Sequence, residues 1–198
     1  MTHYFSRNQE TLKHDRKEIT FTFKQKTFSF ITDAGVFSKD HVDSATELLL
    51  KAIDIKTDED VLDMGSGYGI IGTVIGKIYT ANVTMIDVNL RALELSRINL
   101  KNNGVNGVVF ESDGFENVDQ QFHHIVTNPP IRIGKTQLYN IFKTAKAHLK
   151  SKGILWIVMH KKHGALSAIK FLDKHYQVTV VNKEKGFHII RCQNSLTI

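Results

Sequence analysis

Residues 61–70 have the sequence VLDMGSGYGI, in which an apolar segment of strand length runs into a glycine-rich turn and then into a helix. Glycines permit positive φ angles and close approach of a ligand to the backbone, and the exposed helix N-terminus supplies N–H donors. Ligands of open α/β sheets bind at this carboxyl edge of the strands. The stretch therefore predicts an α/β fold with a ligand site at the turn.

Strand and helix patterns alternate on both sides of this turn. Residues 19–23 and 27–31 alternate apolar and polar side chains around a short polar turn, which predicts a β-hairpin. A turn over 33–38 and a helix over 41–53 follow the hairpin. We predict further strands at 61–64, 83–86, 108–111, 124–127, 154–159, 177–181 and 187–191, and helices at 70–79, 90–102, 137–149 and 165–173.

This order of elements predicts the type of sheet. Buried, β-branched strands separated by helices indicate a parallel sheet that is covered on both faces. The connection between the last two strands, residues 182–186, is too short for a parallel crossover. We therefore expect these two strands to form an antiparallel hairpin at one edge.

Carboxylates follow the second and third strands of the predicted sheet. Asp87 ends the second strand about one βα unit after the turn, where a carboxylate can accept hydrogen bonds from both ribose hydroxyls. Helix capping is the alternative role, but Asn89 is better placed as the N-cap of the next helix. Asp113 follows the third strand, where its carboxylate either accepts a hydrogen bond from an adenine amine or forms an Asx turn.

The run Thr127-Asn128-Pro129-Pro130-Ile131 ends another apolar segment. Two consecutive prolines donate no backbone hydrogen bonds and keep the chain out of the α region, so the Pro129 carbonyl can point outward beside the Asn128 amide. Two acceptors at a strand end suit an NH2 group on a planar ring. An ordinary loop with a Pro-Pro stop is the alternative interpretation.

The composition fits one compact domain. The chain has 198 residues, of which 41% are hydrophobic, and we expect a single domain over 1–198, with an N-terminal extension over 1–56 and an α/β core over 57–198. The first residues contain no hydrophobic signal segment, and the longest apolar stretch, 154–159, is too short to span a bilayer. These features predict a cytoplasmic protein without a membrane partner.

Cysteine and histidine provide no pattern for a metal site. The single cysteine, Cys192, excludes an internal disulfide and a cysteine-rich zinc site. The ten histidines are scattered and lack the H-E-x-x-H context of a helical zinc site. We expect no metal.

Charge is distributed unevenly along the chain. Residues 57–120 carry four Lys and Arg against ten Asp and Glu, whereas residues 121–198 carry thirteen against two. Such asymmetry favours a polyanionic partner on the side of the final third, with nucleic acid as the natural candidate. Some of these cations have a simpler explanation as solvated helix faces, since Lys143, Lys146 and Lys150 fall at helical spacing.

Together, these motifs resemble the class I S-adenosylmethionine-dependent methyltransferases, and within them the small-methyltransferase domain family of ribosomal RNA guanine-N2 methyltransferases. The resemblance covers the chain from about Phe28 onward. It implies a Rossmann-like fold with a mostly parallel seven-stranded sheet, an antiparallel last strand and the N-terminal hairpin. It rests on the segments Gly35-Val36-Phe37-Ser38-Lys39-Asp40, Asp63-Met64-Gly65-Ser66-Gly67-Tyr68-Gly69, Asp87-Val88-Asn89 and Asn128-Pro129-Pro130-Ile131-Arg132-Ile133-Gly134-Lys135.

The resemblance also implies roles for individual residues toward S-adenosylmethionine. Asp63 and the glycine turn would hold the methionine moiety, Asp87 the ribose, and Asp113 with Gly114 the adenine, while residues 35–38 close over the cofactor. The expected cofactor-binding residues are Phe37, Asp63, Gly65, Ser66, Gly67, Gly69, Asp87, Val88, Asp113, Gly114 and Asn128.

For the substrate, the resemblance implies a guanine amine in ribosomal RNA of the small subunit, with either free RNA or a ribosomal subunit as the partner. Asn128, Pro129 and Pro130 form the expected catalytic motif. Related amine methyltransferases often carry an aromatic residue after the prolines, whereas this chain has Ile131, for which we expect an apolar sandwich with Phe37. The expected substrate-binding residues are Ile131, Arg132, Lys135, Lys161 and Lys162.

Other activities share parts of this pattern. A protein glutamine-N5 methyltransferase or an adenine-N6 methyltransferase uses a similar Asn-Pro-Pro site. From a different class, an NAD-dependent oxidoreductase is compatible with Asp87 and with the G-x-G-x-x-G pattern over residues 67–72. A non-catalytic RNA-binding module would leave Asn128 and Asp87 unexplained.

Overall fold

The structure, a computed structural model, describes residue 7 and residues 12–194. Most of the N-terminal segment that was expected to lack a signal sequence, and the last four residues of the expected single domain, lie outside the described residues. The strands are β1 Lys17–Phe23, β2 Lys26–Thr32, β3 Asp60–Met64, β4 Asn82–Asp87, β5 Gly107–Glu111, β6 Phe122–Thr127, β7 Leu149–His160, β8 Gln177–Glu184 and β9 Phe187–Gln193. The α-helices are α1 Ser44–Ala52, α2 Ile70–Tyr79, α3 Leu90–Asn102, α4 Lys135–Thr144 and α5 Ala165–Leu172.

The strands β3 to β9 form a seven-stranded sheet in the order β5-β4-β3-β6-β7-β9-β8. Only β9 runs against the others, because it pairs antiparallel with both β7 and β8. The predicted Rossmann-like fold with an antiparallel last strand is confirmed. The carboxyl ends of β3, β4, β5 and β6 therefore meet at one edge, which is where the predicted ligand site should lie.

Two apolar layers cover the faces of this sheet. Along β3, Val61 packs with α1, α2 and α3, whereas its neighbour Leu62 packs with α4 and α5 on the opposite face. Successive side chains of a strand point to opposite faces, so a strand that is apolar on both faces requires helices on both sides.

The N-terminal hairpin is confirmed and is anchored on α3. Lys24 and Gln25 both have positive φ, as in the tight two-residue turns that suit the twist of a hairpin. The Asn99 side-chain oxygen accepts from Ile31 N at 2.7 Å, and that of Asn103 accepts from Ser29 N at 3.2 Å. These bonds hold β2 against the C-terminal end of α3.

Two predicted helices are shorter in the structure. The first begins at Ser44 rather than at residue 41, because the Asp43 side chain caps it by accepting from Thr46 N. The fourth ends at Thr144 and continues as a 3₁₀ turn, Ala145–His148. The explanation of Lys150 as part of a solvated helix face is wrong, since Lys150 lies in β7 and forms an ion pair of 2.5 Å with Asp60.

The geometry predicts different costs for two glycines of the turn. Gly65 and Gly69 both have positive φ, but a Cβ would meet only open space at Gly65, whereas at Gly69 it would lie 3.0 Å from the Ser96 Cα. Gly65→Ala should cost about 1–2 kcal/mol from the left-handed backbone alone, and Gly69→Ala roughly 1–3 kcal/mol more from overpacking. Urea unfolding measures both, and equal losses would contradict this packing of α3 against the turn.

Candidate active site

A pocket of about 660 Å³ opens at the carboxyl edge of β3, β4, β5 and β6. It contains part of the set of residues that the sequence singled out, including the catalytic motif. The lining residues among those predicted are Gly65, Asp87, Val88, Asp113, Gly114, Asn128, Pro129 and Pro130.

Backbone amides of the glycine turn donate hydrogen bonds to the end of β4. The amides of Gly65 and Ser66 both donate to the Ile86 carbonyl, at 2.9 and 3.0 Å. The Gly67 amide donates to the Asp87 carboxylate at 2.8 Å. These hydrogen bonds fix the position of the turn relative to β4.

Asp87 is the carboxylate at the centre of this arrangement. Besides the Gly67 amide, it accepts from Asn89 N at 2.9 Å, while the Asn89 side chain caps α3 through Arg91 N and Ala92 N, as predicted. Burial raises the pKa of the Asp87 carboxyl above its ordinary value. The cap role belongs to Asn89, which leaves the remaining lone pairs of Asp87 available to a ligand in the pocket.

Asp63 is placed differently from Asp87. It lies beneath the turn, fully buried, and accepts from Gly72 N at 2.8 Å. Its Oδ1 is buried without a hydrogen-bond partner among the described residues, as is Ser66 Oγ. Burial, with the nearby Asp87 charge, raises the pKa of Asp63 to about 7. Asp63, Ser66, Gly67 and Gly69 support the turn but do not line the pocket.

The far side of the pocket is formed by the segment after β5. Asp113 and Gly114 line it together with Ser112, whose hydroxyl donates to the Gly114 carbonyl at 3.0 Å. At the rim, Arg7 forms an ion pair of 2.6 Å with Glu111. Arg7 has no local sequence signal, because its role depends on a contact with a residue 104 positions away.

Asn128 faces the pocket with its amide in a defined orientation. Its Nδ2 donates to Asp43 Oδ2 at 3.0 Å and to Thr46 Oγ1 at 3.1 Å, both from the start of α1. With Nδ2 occupied on that side, Oδ1 remains as the acceptor for a ligand. The Pro130 carbonyl accepts from Ile133 N at 3.2 Å, whereas Pro129 is buried and lines the pocket beside Asn128.

The structure does not show the expected apolar sandwich of Ile131 and Phe37. Ile131 starts a 3₁₀ turn and packs against the apolar layer of α4 and α5. Phe37 is 46% exposed, and neither residue lines the pocket. Ile133 is there instead, because the turn after the prolines moves the residue two positions along to the pocket wall.

The predicted cations lie on the surface near this edge rather than in the pocket. Arg132 belongs to the 3₁₀ turn before α4, Lys135 begins α4, and Lys161 and Lys162 follow the carboxyl end of β7. All four are exposed. Lys161 N donates to the Gly186 carbonyl at 2.8 Å, which brings Lys185 of the β8–β9 turn to the same edge. We call Arg132, Lys135, Lys161 and Lys162 the basic rim.

Fold and site together define a Rossmann-like methyltransferase. The model of the methyltransferase small domain family matches residues 27–191, and the chain belongs to that family. Membership favours methyl transfer over the NAD-dependent oxidoreductase that the glycine pattern alone allowed. It also confirms the prediction of S-adenosylmethionine as the cofactor.

The chain is similar to proteins of two different lengths. It is 42% identical over 197 residues to the uncharacterized protein YbxB of Bacillus subtilis (strain 168), covering 96% of this chain and 98% of that protein. It is 41% identical over 129 residues to ribosomal RNA small subunit methyltransferase C of Haemophilus influenzae (strain PittEE), covering 63% of this chain. The match spans 39% of the length of that relative.

Among solved structures, the chain is similar to the T. thermophilus 16S rRNA N2 methyltransferase RsmC, determined in complex with AdoMet and guanosine. The TM-score is 0.82 at 22% sequence identity, over 90% of this chain and 50% of that one. At this identity the similarity concerns the fold alone.

The residues at the pocket fit this cofactor. Beneath the turn and outside the pocket lining, Asp63 Oδ1 and Ser66 Oγ are buried polar atoms without a hydrogen-bond partner among the described residues, which a bound group or water can satisfy. A Cβ at Gly65 or Gly67 would meet only open space, so the backbone is accessible there. Within the described residues, no group of three or more His, Cys, Asp or Glu side chains is arranged to hold a metal ion. No helix in the described part of the chain has the length and apolarity needed to cross a membrane.

The titration of Asp63 should lower the free energy of unfolding as the pH rises. Its folded pKa of about 7 exceeds the ordinary value of 3.8, so between these values the unfolded state loses the proton while the folded state keeps it. The contribution of Asp63 to the free energy of unfolding should thus decline from pH 4 to pH 7 by up to about 4 kcal/mol, at 1.36 kcal/mol per pKa unit.

Urea unfolding of the parent and of Asp63→Asn over this pH range isolates the effect. The variant keeps the bond from Gly72 N and cannot titrate, so the difference between the two curves should slope between pH 4 and pH 7 and be flat above. A constant difference across the whole range would show that Asp63 titrates normally.

Proposed function

We propose that the chain transfers a methyl group from S-adenosylmethionine to the exocyclic N2 amine of guanine in small-subunit ribosomal RNA. The observation that carries the proposal is the orientation of Asn128, whose amide nitrogen is bound to α1 and whose Oδ1 is left for the pocket. S-adenosylmethionine, when bound, supplies an activated methyl group.

The chain's own residues would orient the amine. An exocyclic amine is a poor nucleophile because its lone pair is delocalised into the ring. Hydrogen bonds from the amine to Asn128 Oδ1 and to the Pro129 carbonyl favour a pyramidal nitrogen with a localised lone pair. The Pro130 carbonyl is already engaged by Ile133 N, which favours Pro129 as the second acceptor. Orientation is the main requirement, and the released proton can pass to solvent without a covalent enzyme intermediate.

RNA is favoured as the substrate by the surface around the pocket. The basic rim is exposed at the edge where the pocket opens, and residues 121–198 carry thirteen Lys and Arg against two Asp and Glu. Exposed cations beside an active site bind phosphates and position a nucleic acid. The relatives named ribosomal RNA small subunit methyltransferase C support ribosomal RNA in particular.

Two alternative substrates could bind to the same two acceptors, Asn128 Oδ1 and the Pro129 carbonyl. A glutamine side-chain amide and the adenine amine each present an NH2 on a planar group, so Asn128 and Pro129 alone would accept either. Methylation of a protein glutamine does not require a basic rim, which favours RNA over protein. The name of the similar solved structure, an N2 methyltransferase, supports guanine over adenine.

The proposal predicts that methyl-labelled S-adenosylmethionine transfers its label to small-subunit ribosomal RNA and that Asn128→Ala lowers kcat about 10- to 100-fold. The range corresponds to losing one hydrogen bond of roughly 1.5–3 kcal/mol in the transition state. Affinity for the cofactor, measured by calorimetry, should stay near that of the parent, because Asn128 is proposed to orient the amine.

Asn182→Ala, in β8 and away from the pocket, is the matched control and should keep the parent kcat. Substantial turnover in Asn128→Ala would remove the basis of the proposal. Label found only in protein would replace RNA by the glutamine alternative.

The basic rim should appear in the salt dependence of RNA binding. Replacing Lys161 and Lys162 together with alanine should flatten the slope of log affinity against log salt by at most about two units, through lost counterion release. Lys143 lies near the end of α4 and Lys146 lies in the 3₁₀ turn that follows. Neither lines the pocket, so their double replacement should change the slope less. Equal slopes for the parent and the Lys161/Lys162 variant would refute the rim as an RNA-binding surface.

A further inference from the structure

The start of α1 contacts the amide of Asn128. A single oxygen, Asp43 Oδ2, accepts from two donors, Thr46 N at 3.1 Å and Asn128 Nδ2 at 3.0 Å. Thr46 is only 4% exposed, and its hydroxyl lies 3.1 Å from the same Nδ2. The helix cap and the proposed amine acceptor are therefore joined through one carboxylate.

These two contacts do not determine the orientation of the amide equally. The Thr46 hydroxyl can either donate or accept, so it is compatible with both orientations of the Asn128 side chain. An ionised carboxylate can only accept. If the amide turned over, Oδ1 would face Asp43 Oδ2, and two acceptors would repel each other where a charge-assisted hydrogen bond now forms. Asp43 thus selects one orientation.

We propose that Asp43 is a positioning residue for amine recognition, which holds Asn128 with Nδ2 toward α1 and Oδ1 toward the pocket. This inference rests on the proposed function, because it assumes that Oδ1 accepts from the substrate amine. The Thr46 hydroxyl adds a hydrogen bond to Asn128 but does not determine the orientation of the amide.

The requirement on residue 43 is stricter than helix capping. Ser, Thr, Asn and Asp all cap helices well, since each can accept from the third amide of the helix. Serine at this position would still cap α1, but its hydroxyl can donate as well as accept and its oxygen is one bond nearer the backbone. Asparagine would place its single carbonyl oxygen where Oδ2 is now, and that oxygen can accept from both Thr46 N and Asn128 Nδ2. The cap and the positioning role can therefore be separated by experiment.

The test compares Asp43→Ser with Asp43→Asn. Asp43→Ser should lower kcat for RNA methylation by about tenfold or more through misorientation of the acceptor, with the KM for S-adenosylmethionine and the unfolding midpoint close to those of the parent. Asp43→Asn should retain most of the parent kcat. Glu47→Gln is the matched control. It removes an acidic charge from the first turn of α1, and Glu47 pairs with Lys51 rather than with Asn128.

A second readout does not depend on turnover. Side-chain ¹⁵N–¹H resonances of Asn128 should show slow exchange with solvent in the parent and in Asp43→Asn, and faster exchange in Asp43→Ser. The reason is that the Oδ acceptor of residue 43 in the first two proteins protects the Nδ2 protons. This measurement uses the protein without RNA.

The outcomes separate this inference from the proposed function. An unchanged kcat in Asp43→Ser, or equal losses in Asp43→Ser, Asp43→Asn and Glu47→Gln, would overturn the positioning role while leaving RNA methylation intact. If the parent methylates no RNA, the proposed function fails, and the Asn128 resonances then decide alone whether Asp43 orients the amide. Unprotected Nδ2 protons in the parent would overturn the inference.

Discussion

The hydrogen bond from the Gly67 amide to the Asp87 carboxylate is the contact on which the rest of the site depends. It joins the turn after β3 to the end of β4, and the Ile86 carbonyl reinforces it by accepting from Gly65 N and Ser66 N. These bonds keep the turn open, so that the backbone of Gly65, the Asp87 carboxylate and the loop after β6 border one pocket.

The uneven charge along the chain has a spatial explanation in this arrangement. The acidic middle supplies the pocket with Asp87, Glu111, Asp113 and Glu116, which suits a cofactor that carries a positive sulfonium and a positive amine. The basic final third supplies the basic rim outside the pocket, which suits RNA phosphates. The same burial that shapes the site raises the pKa of Asp63 and of Asp87, so that the site reduces the stability of the fold at neutral pH.

The sequence predicted the sheet, the hairpin and the position of the pocket, because periodicity and glycine turns are local signals. The roles of Asp43, Thr46 and Arg7 depend on contacts across 82 to 104 residues, for which a single sequence carries no local pattern. The resemblance relates Ile131 to the substrate through its position after the two prolines, but the 3₁₀ turn packs Ile131, half-buried, against the apolar layer of α4 and α5 and brings Ile133 to the pocket. Lys150 lies at helical spacing from Lys146 in the sequence, but β7 already pairs with β6 at Leu149, so Lys150 belongs to a strand.

The central claim is that Asn128 and Pro129 receive the exocyclic amine of a guanine base. The most direct measurement is mass spectrometry of nucleosides from small-subunit ribosomal RNA after reaction with S-adenosylmethionine that carries a ¹³C-methyl group. We expect the heavy methyl group on N2 of guanosine. A heavy methyl group on N6 of adenosine, on a ring nitrogen or on ribose would contradict it.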